Sequence, residues 1–377
     1  MVGRLLVLSL LLIAGSAAAR ADHIPSDAVR AYNQALDTGE SASIIAAAQA
    51  LGHQAALNPD DPQSGMVAFE MANQLCLRAA CAYAVEAATF ASTHAGEGLP
   101  DSRERAVLAA LANWYASPNK QTIRTLGAHL KDLGDLTPTT VTVMAYEAYY
   151  SDAVGKLIDL NRRATAAANH MKPVRNMVPK NWALAEMTAA SSQFQRNHSI
   201  ESIQAMAELQ EWLDDMKRAT SPDPDWLNDY FFRAWAWTTA MNAYFTTEKG
   251  YGSELREIDA MSARRKEARL KTSSPNASDD TDHKRHCKGN FSEPPRPVFP
   301  KEAARRGYVG AVIMGFSLED GEITNIRVLA AVPDSAFEKA SIEALENARF
   351  EFSAQQEDPD CRRNQETVLQ SFEYVLR

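Results

Sequence analysis

From residue 26 to about 270 the apolar positions recur at helical spacing. In ESIQAMAELQEWLDDM (201–216), Ile203, Met206, Leu209, Leu213 and Met216 follow one another at intervals of three and four. That spacing puts them on one face of a helix, the face a core would bury. SIIAAAQALGHQAAL (43–57) is an alanine-rich helix of the same kind. Prolines and glycines punctuate the region at Pro59/Pro62, Gly96–Pro100, Pro118, Pro138, Pro173/Pro179 and Pro222/Pro224. Helices of ordinary length fit between them, joined by short connectors. Consecutive helices with short connectors predict antiparallel pairs, stacked as an α-solenoid or another helical repeat. ALNPDDP (56–62) resembles the end of a tetratricopeptide unit, so the region reads as TPR-like. No regular 34-residue period accompanies it, and a non-repeating bundle fits the pattern too. DWLNDYFFRAWAWTTAMNAYF (225–245) carries eight aromatic residues. On a helix Trp226, Tyr230, Trp237 and Met241 share a face, while Phe231 and Trp235 lie on another. A helix buried on most sides explains this better than a ligand groove between helices.

KTSSPNASDDTDHKRHCKGN (271–290) holds no large apolar residue and reads as a polar linker. Beyond it the period changes. PPRPVFP (294–300) is extended, because proline fixes φ and disfavours helix in the residue before it. KEAARRG (301–307) is a short helix ended by Gly307. In GAVIMGFSLEDGEITNIRVLAAVP (310–333), Val312, Met314, Phe316 and Leu318 alternate on one strand and Ile326, Val328 and Ala330 on the next. Asp320-Gly321 supplies the hairpin turn. Ser335 and Glu338 predict a capping box for a helix whose inner stripe runs through Phe337, Ala340, Ser341, Ala344, Leu345 and Ala348. The last strand is TVLQSFEYVL (367–376), with Val368, Phe372, Tyr374 and Leu376 on one face. These elements make a small α+β domain whose sheet is covered on one side.

The order of those signals resembles the TonB C-terminal domain. The residues that carry the likeness are Phe299-Pro300, Ala303, Ala304, Gly307, Gly310, Val312, Phe316, Asp320-Gly321, Val328, Pro333, Phe337, Ala344 and Phe350. The family implies a non-catalytic module that receives a short extended segment by β-augmentation, backbone to backbone. The receiving edge would be Glu366, Thr367, Val368, Leu369, Gln370, Ser371, Phe372, Glu373 and Tyr374, with Arg296 and Phe299 on the lead-in segment beside it. The implied partners are envelope proteins, TonB-dependent outer-membrane receptors among them, and the implied process is transmembrane transport. A homodimer through the same domain is a further arrangement, and a structural or assembly adaptor without energy transduction is the alternative function. A full TonB transducer keeps an inner-membrane helix and a long proline-rich spacer. Here a leader and a helical region stand in their place.

The leader comes from the first residues. Leu5–Gly15 is an apolar run after Arg4, and Ala19-Arg20-Ala21 fits an A-x-A cleavage site before Asp22. The run is shorter than the ~20 residues of a spanning helix, and no later stretch reaches that length. The expected layout is therefore multidomain: a signal peptide (1–21), an all-α domain (22–270), the linker (271–290) and the α+β domain (291–377). The expected location is the periplasm.

Four cysteines in an exported chain suggest disulfides, with two buried free thiols at Cys76 and Cys81 as the alternative. Of the three possible pairings, locality favours Cys76 with Cys81 and Cys287 with Cys361. Five positions apart on a continuous helix are ~8.7 Å apart, more than the ~7 Å a disulfide spans. A bonded Cys76–Cys81 pair therefore breaks the helix between them.

Formal net charge is -9, which argues against nucleic acid as a partner. The final domain holds 10 Lys/Arg against 15 Asp/Glu (291–377), or -5. No cofactor or metal is implied, since His283, His286 and Cys287 are too few for a four-ligand site. The sequence contains none of the common nucleophile, zinc or phosphate motifs, so no enzyme is expected.

Overall fold

Alanine and glycine at helix contacts set the packing of the first half of the chain. We describe a computed structural model of the protein, covering residues 23–96, 98–220, 222–247, 252, 255–256, 287, 289–352 and 361–375. The expected leader, most of the expected linker, and His283 and His286 lie outside these residues, as does Leu376. The chain divides into two units, 1–149 and 150–377.

In the first unit α1 (Ser26–Thr38), α2 (Ser41–Leu57), α3 (Ser64–Leu77), α4 (Val85–Thr93), α5 (Ser102–Ala116) and α6 (Lys120–Asp132) follow in order, each packed on the next. Ala48, Ala68, Ala72, Ala88 and Ala91 are fully buried. A Cβ at Gly52 would lie 3.0 Å from the Ala87 Cβ and 3.3 Å from that of Met71, so α2 sits close on its neighbours. Asn119 starts α6 with a capping box, its side chain accepting from Thr122 N–H while Thr122 Oγ1 accepts from Asn119 N–H. Helix α3 stops at Leu77, Ala79 takes a left-handed φ of 57°, and Cys81 opens a 3-10 turn. This break brings the Cys76 and Cys81 Cα atoms to 3.9 Å and lets the disulfide form. The α7 helix (Thr140–Ser151) carries the boundary between the units.

The second unit continues with α8 (Leu157–Met171), α9 (Pro179–Asn197), α10 (Ile200–Ala219) and α11 (Asp225–Thr247). Asn161 Nδ2 donates to the Ala189 carbonyl at 3.0 Å and ties α8 to α9. Around Phe194 of α9 gather the rings of Trp237, Tyr244 and Phe245 of α11, at 5.5 to 6.4 Å. The aromatic stretch is thus a packed helix, with Tyr230, Trp237 and Met241 buried and Phe231 half-buried under the Lys217 ammonium.

The C-terminal part comprises β1 (Gly289–Phe291), α12 (Lys301–Arg306), β2 (Gly310–Glu319), β3 (Glu322–Val332), α13 (Glu338–Glu346), β4 (Phe350–Phe352) and β5 (Gln365–Tyr374). A three-stranded antiparallel sheet has the order β3-β2-β5, and β1 pairs with β4. The hairpin turns at Asp320 and Gly321, both at positive φ, as the Asp-Gly signal implied. Asp334, not Ser335, caps the following turn, accepting from Ala336 N–H at 2.9 Å; the expected capping box is replaced by it. Val312, Met314, Phe316 and Leu318 of β2 meet Phe337, Leu345, Phe372 and Tyr374 in one core.

The other face of the sheet differs from the sequence reading, which left it open. Ala311 and Ile313 point away from that core and are also fully buried. Helix α11 covers them, packing against β2, β3 and β5. Ala236, Ala240 and Ala243 of α11 are buried and share a stripe apart from the one that meets Phe194. Small side chains on such a stripe allow a helix to approach a sheet closely.

The second disulfide joins Cys287 to Cys361 across 74 positions, against five for the first. Closing the longer loop removes more entropy from the unfolded chain, so Cys287→Ser should cost about 2–4 kcal/mol and Cys76→Ser less. Urea unfolding of each variant checks the order.

Candidate functional site

Strand β5 lies at the sheet's edge. Among the described residues it pairs with β2 alone, leaving every second backbone N–H and C=O turned outward. From Val368↔Phe316 to Tyr374↔Gly310 its register is unbroken. The opposite edge, β3, has two register shifts against β2 and a left-handed Asn325 at φ 51°. Bulges of that kind blunt an edge. The regular edge is therefore β5.

Each residue proposed for the edge has a definite place. Phe372 and Tyr374 are buried in the core, and Val368 is half-buried beside them. On the other face Leu369 is 43% exposed and Glu373 is exposed. Gln370 Nε2 donates to the Ser371 carbonyl at 2.7 Å. The Glu366 carbonyl accepts from Ser317 Oγ at 2.8 Å, at the one irregularity in the β2–β5 register. Thr367 Oγ1 accepts from Arg327 Nη2 at 3.2 Å.

The far end of the strand is locked. Tyr374 stacks on Phe337 at 4.2 Å, and Phe299 meets both rings edge-on, at 5.6 and 5.8 Å. The Tyr374 hydroxyl shares a 2.7 Å hydrogen bond with Ser341 Oγ, and burial pushes its pKa up to about 12. Phe299 thus joins the edge. Arg296 instead lines a groove of about 560 Å³ between Pro294–Val298 and the Ala340/Ala344 side of α13.

Sequence reasoning missed Arg327 and Arg362, which line a concavity of about 910 Å³ at the start of β5 with Ser317, Asn325, Asn364 and Thr367. In the sequence they read as ordinary polar positions on a strand and in a loop. No group of three His, Cys, Asp or Glu suited to a metal ion occurs among the described residues.

Residues 295–376 match the family model for the C-terminal part of the Gram-negative bacterial TonB protein. No curated protein and no solved structure matches the chain. The family match gives this part of the chain a protein-interaction role in the Gram-negative envelope, with no catalytic chemistry attached. No helix among the described residues is long and apolar enough to cross a membrane.

Proposed function

We propose, from a chain whose residues 295–376 carry a TonB-type C-terminal domain, that the protein captures extended segments of envelope proteins on β5. The captured segment adds as a fourth strand beside Glu366–Tyr374, and backbone groups supply most of the affinity. The protein acts in the periplasm, and outer-membrane transporters of the TonB-dependent class are the partners that suit it. What carries this reading is the regular, outward-facing β5 ladder at the edge opposite a bulged β3. Natural sheets retain such an edge when a partner occupies it.

One observation favours the structural alternative. Helix α11 holds the sheet from behind, as it would if the domain only docked on the helices. The two readings separate at the edge itself. Adjacent residues of a strand turn their amides to opposite sides, so of Gln370→Pro and Ser371→Pro one removes an outward amide and the other a β2 bond. The probe is a peptide selected from a random library for binding to the full-length protein. The outward proline variant should keep its melting temperature and bind the peptide at least ~10-fold more weakly. Wild-type affinity in both folded variants would leave the structural role. If two copies pair edge to edge, the same variant shifts the sedimentation of the free protein instead.

A further inference from the structure

Beyond its ladder, the β5 edge opens at its first residues into the 910 Å³ concavity. Two arginines line it: a hydrogen bond holds the Arg327 guanidinium, and a disulfide fixes the backbone at Arg362. Arg327 reaches from β3 across β2 to donate to Thr367 Oγ1 at 3.2 Å. It passes over Gly315, where a Cβ would lie only 3.1 Å from Arg327 Nε, so a glycine keeps that path open. Arg362 directly follows Cys361, whose sulfur is bonded to Cys287, and its carbonyl accepts from Cys287 N–H at 2.9 Å. The disulfide thus fixes the backbone from which Arg362 projects.

Both arginines are exposed, and among the described residues neither is paired with a carboxylate. Two carboxylates share the lining, Glu319 and Glu366. Glu319 accepts from Thr324 Oγ1 at 3.2 Å on the hairpin, and Glu366 is exposed. Ser317 Oγ donates to the Glu366 carbonyl and accepts from Asn325 Nδ2. In this lining the two carboxylates balance the two guanidinium charges, but neither guanidinium is engaged by a carboxylate among the described residues, so both keep their donors for an arriving one. A planar guanidinium matches a carboxylate in geometry as well as charge.

We propose that this pocket sets the specificity and the register of the captured segment, by taking an Asp, Glu or terminal carboxylate from the residue lying beside Glu366 and Thr367. The proposal rests on the edge-capture reading above. Arg327 and Arg362 are then specificity residues, while the ladder supplies the sequence-independent part.

The test uses the full-length protein and short acetylated, amidated peptides of alternating Thr and Val. One set ends in Asp and its control in Asn, and the acid is placed at either end so that strand polarity is also read. One acidic peptide should bind roughly tenfold more tightly than its Asn control, and added salt should narrow the gap. Arg327→Gln and Arg362→Gln should each close most of it and leave the Asn peptide's affinity unchanged. Arg305→Gln, at an exposed position of α12, should change nothing, and circular dichroism confirms that each variant is folded. Equal affinity for acid and Asn peptides, or a gap that survives both arginine variants, overturns the proposal alone. No binding of either peptide overturns the edge reading and the proposal with it.

Discussion

Phe337→Ala should destabilise the second unit by about 3–5 kcal/mol, the usual cost of emptying a buried aromatic site. Phe337 is fully buried at the meeting point of three elements. Its ring stacks on Tyr374 of β5, Phe299 of the lead-in segment stands edge-on to both, and its carbonyl accepts from Ser341 Oγ at 3.1 Å. It also fills the space that Gly310 leaves, since a Cβ there would fall 2.2 Å from Phe337 Cε2. No neighbour can move in cheaply, because the adjoining groups are rings and backbone. Removing only the hydroxyl in Tyr374→Phe should cost about 1 kcal/mol, one hydrogen bond's net worth. Urea unfolding of both variants measures the ratio. A Phe337→Ala loss near that of Tyr374→Phe would mean that the ring cluster does not anchor the end of β5.

Ile313→Asp should cost at least ~3 kcal/mol, because it buries an unpaired charge. Simple alternation along β2 assigns Ile313 to the open face, where an aspartate would be harmless. In the fold it is fully buried, on the side that α11 covers. Leu369, on the same face of β5 but 43% exposed, is the control. Leu369→Asp should stay within about 0.5 kcal/mol of wild type. If Ile313→Asp is equally mild in the full-length chain, α11 does not seal the sheet. The same cover means that a fragment starting at residue 288 would expose Ala311 and Ile313 to water. Binding experiments therefore belong on the whole chain.

Signals that act over a few residues were legible in the sequence. The Asp320-Gly321 turn, the Val312–Leu318 alternation, Gly307 after the short helix, and the Cys76–Cys81 pairing were read from local chemistry, which left Cys287 and Cys361, 74 positions apart, to pair with each other. Local chemistry also misled at the start of α13, where Ser335 offered a capping pattern and Asp334, one residue earlier, does the capping. Both residues can serve as caps, and backbone geometry alone decides between them. The two-residue-deeper start of β5, at Gln365, and the three-residue strands β1 and β4 lie below the resolution of a periodicity argument.

The covered second face was written in the sequence but not read. Ala311 to Phe316 is apolar at nearly every position, on both faces of the strand. A continuous apolar run is the mark of a strand buried on both sides. Reading only its odd or even members hid that. What would cover it could not be found by pattern, since nothing in α11's alanines distinguishes a sheet contact from a helix contact. The pocket arginines were hidden for a related reason. Arg327 and Thr367 are brought together by the register of three strands, and no short-range signal encodes that register.

The central claim is that β5 receives a strand, and amide hydrogen exchange tests it most directly. The full-length protein is compared free and with a saturating concentration of the library-selected peptide. Among the described residues the outward amides have no ladder partner in the free edge, so they exchange fast, while their neighbours bonded to β2 are already slow. Capture should slow alternate amides between Glu366 and Tyr374 and leave the outer amides of β3 unchanged. Slowing confined to the helices, with the β5 amides as fast as in the free protein, would contradict the account.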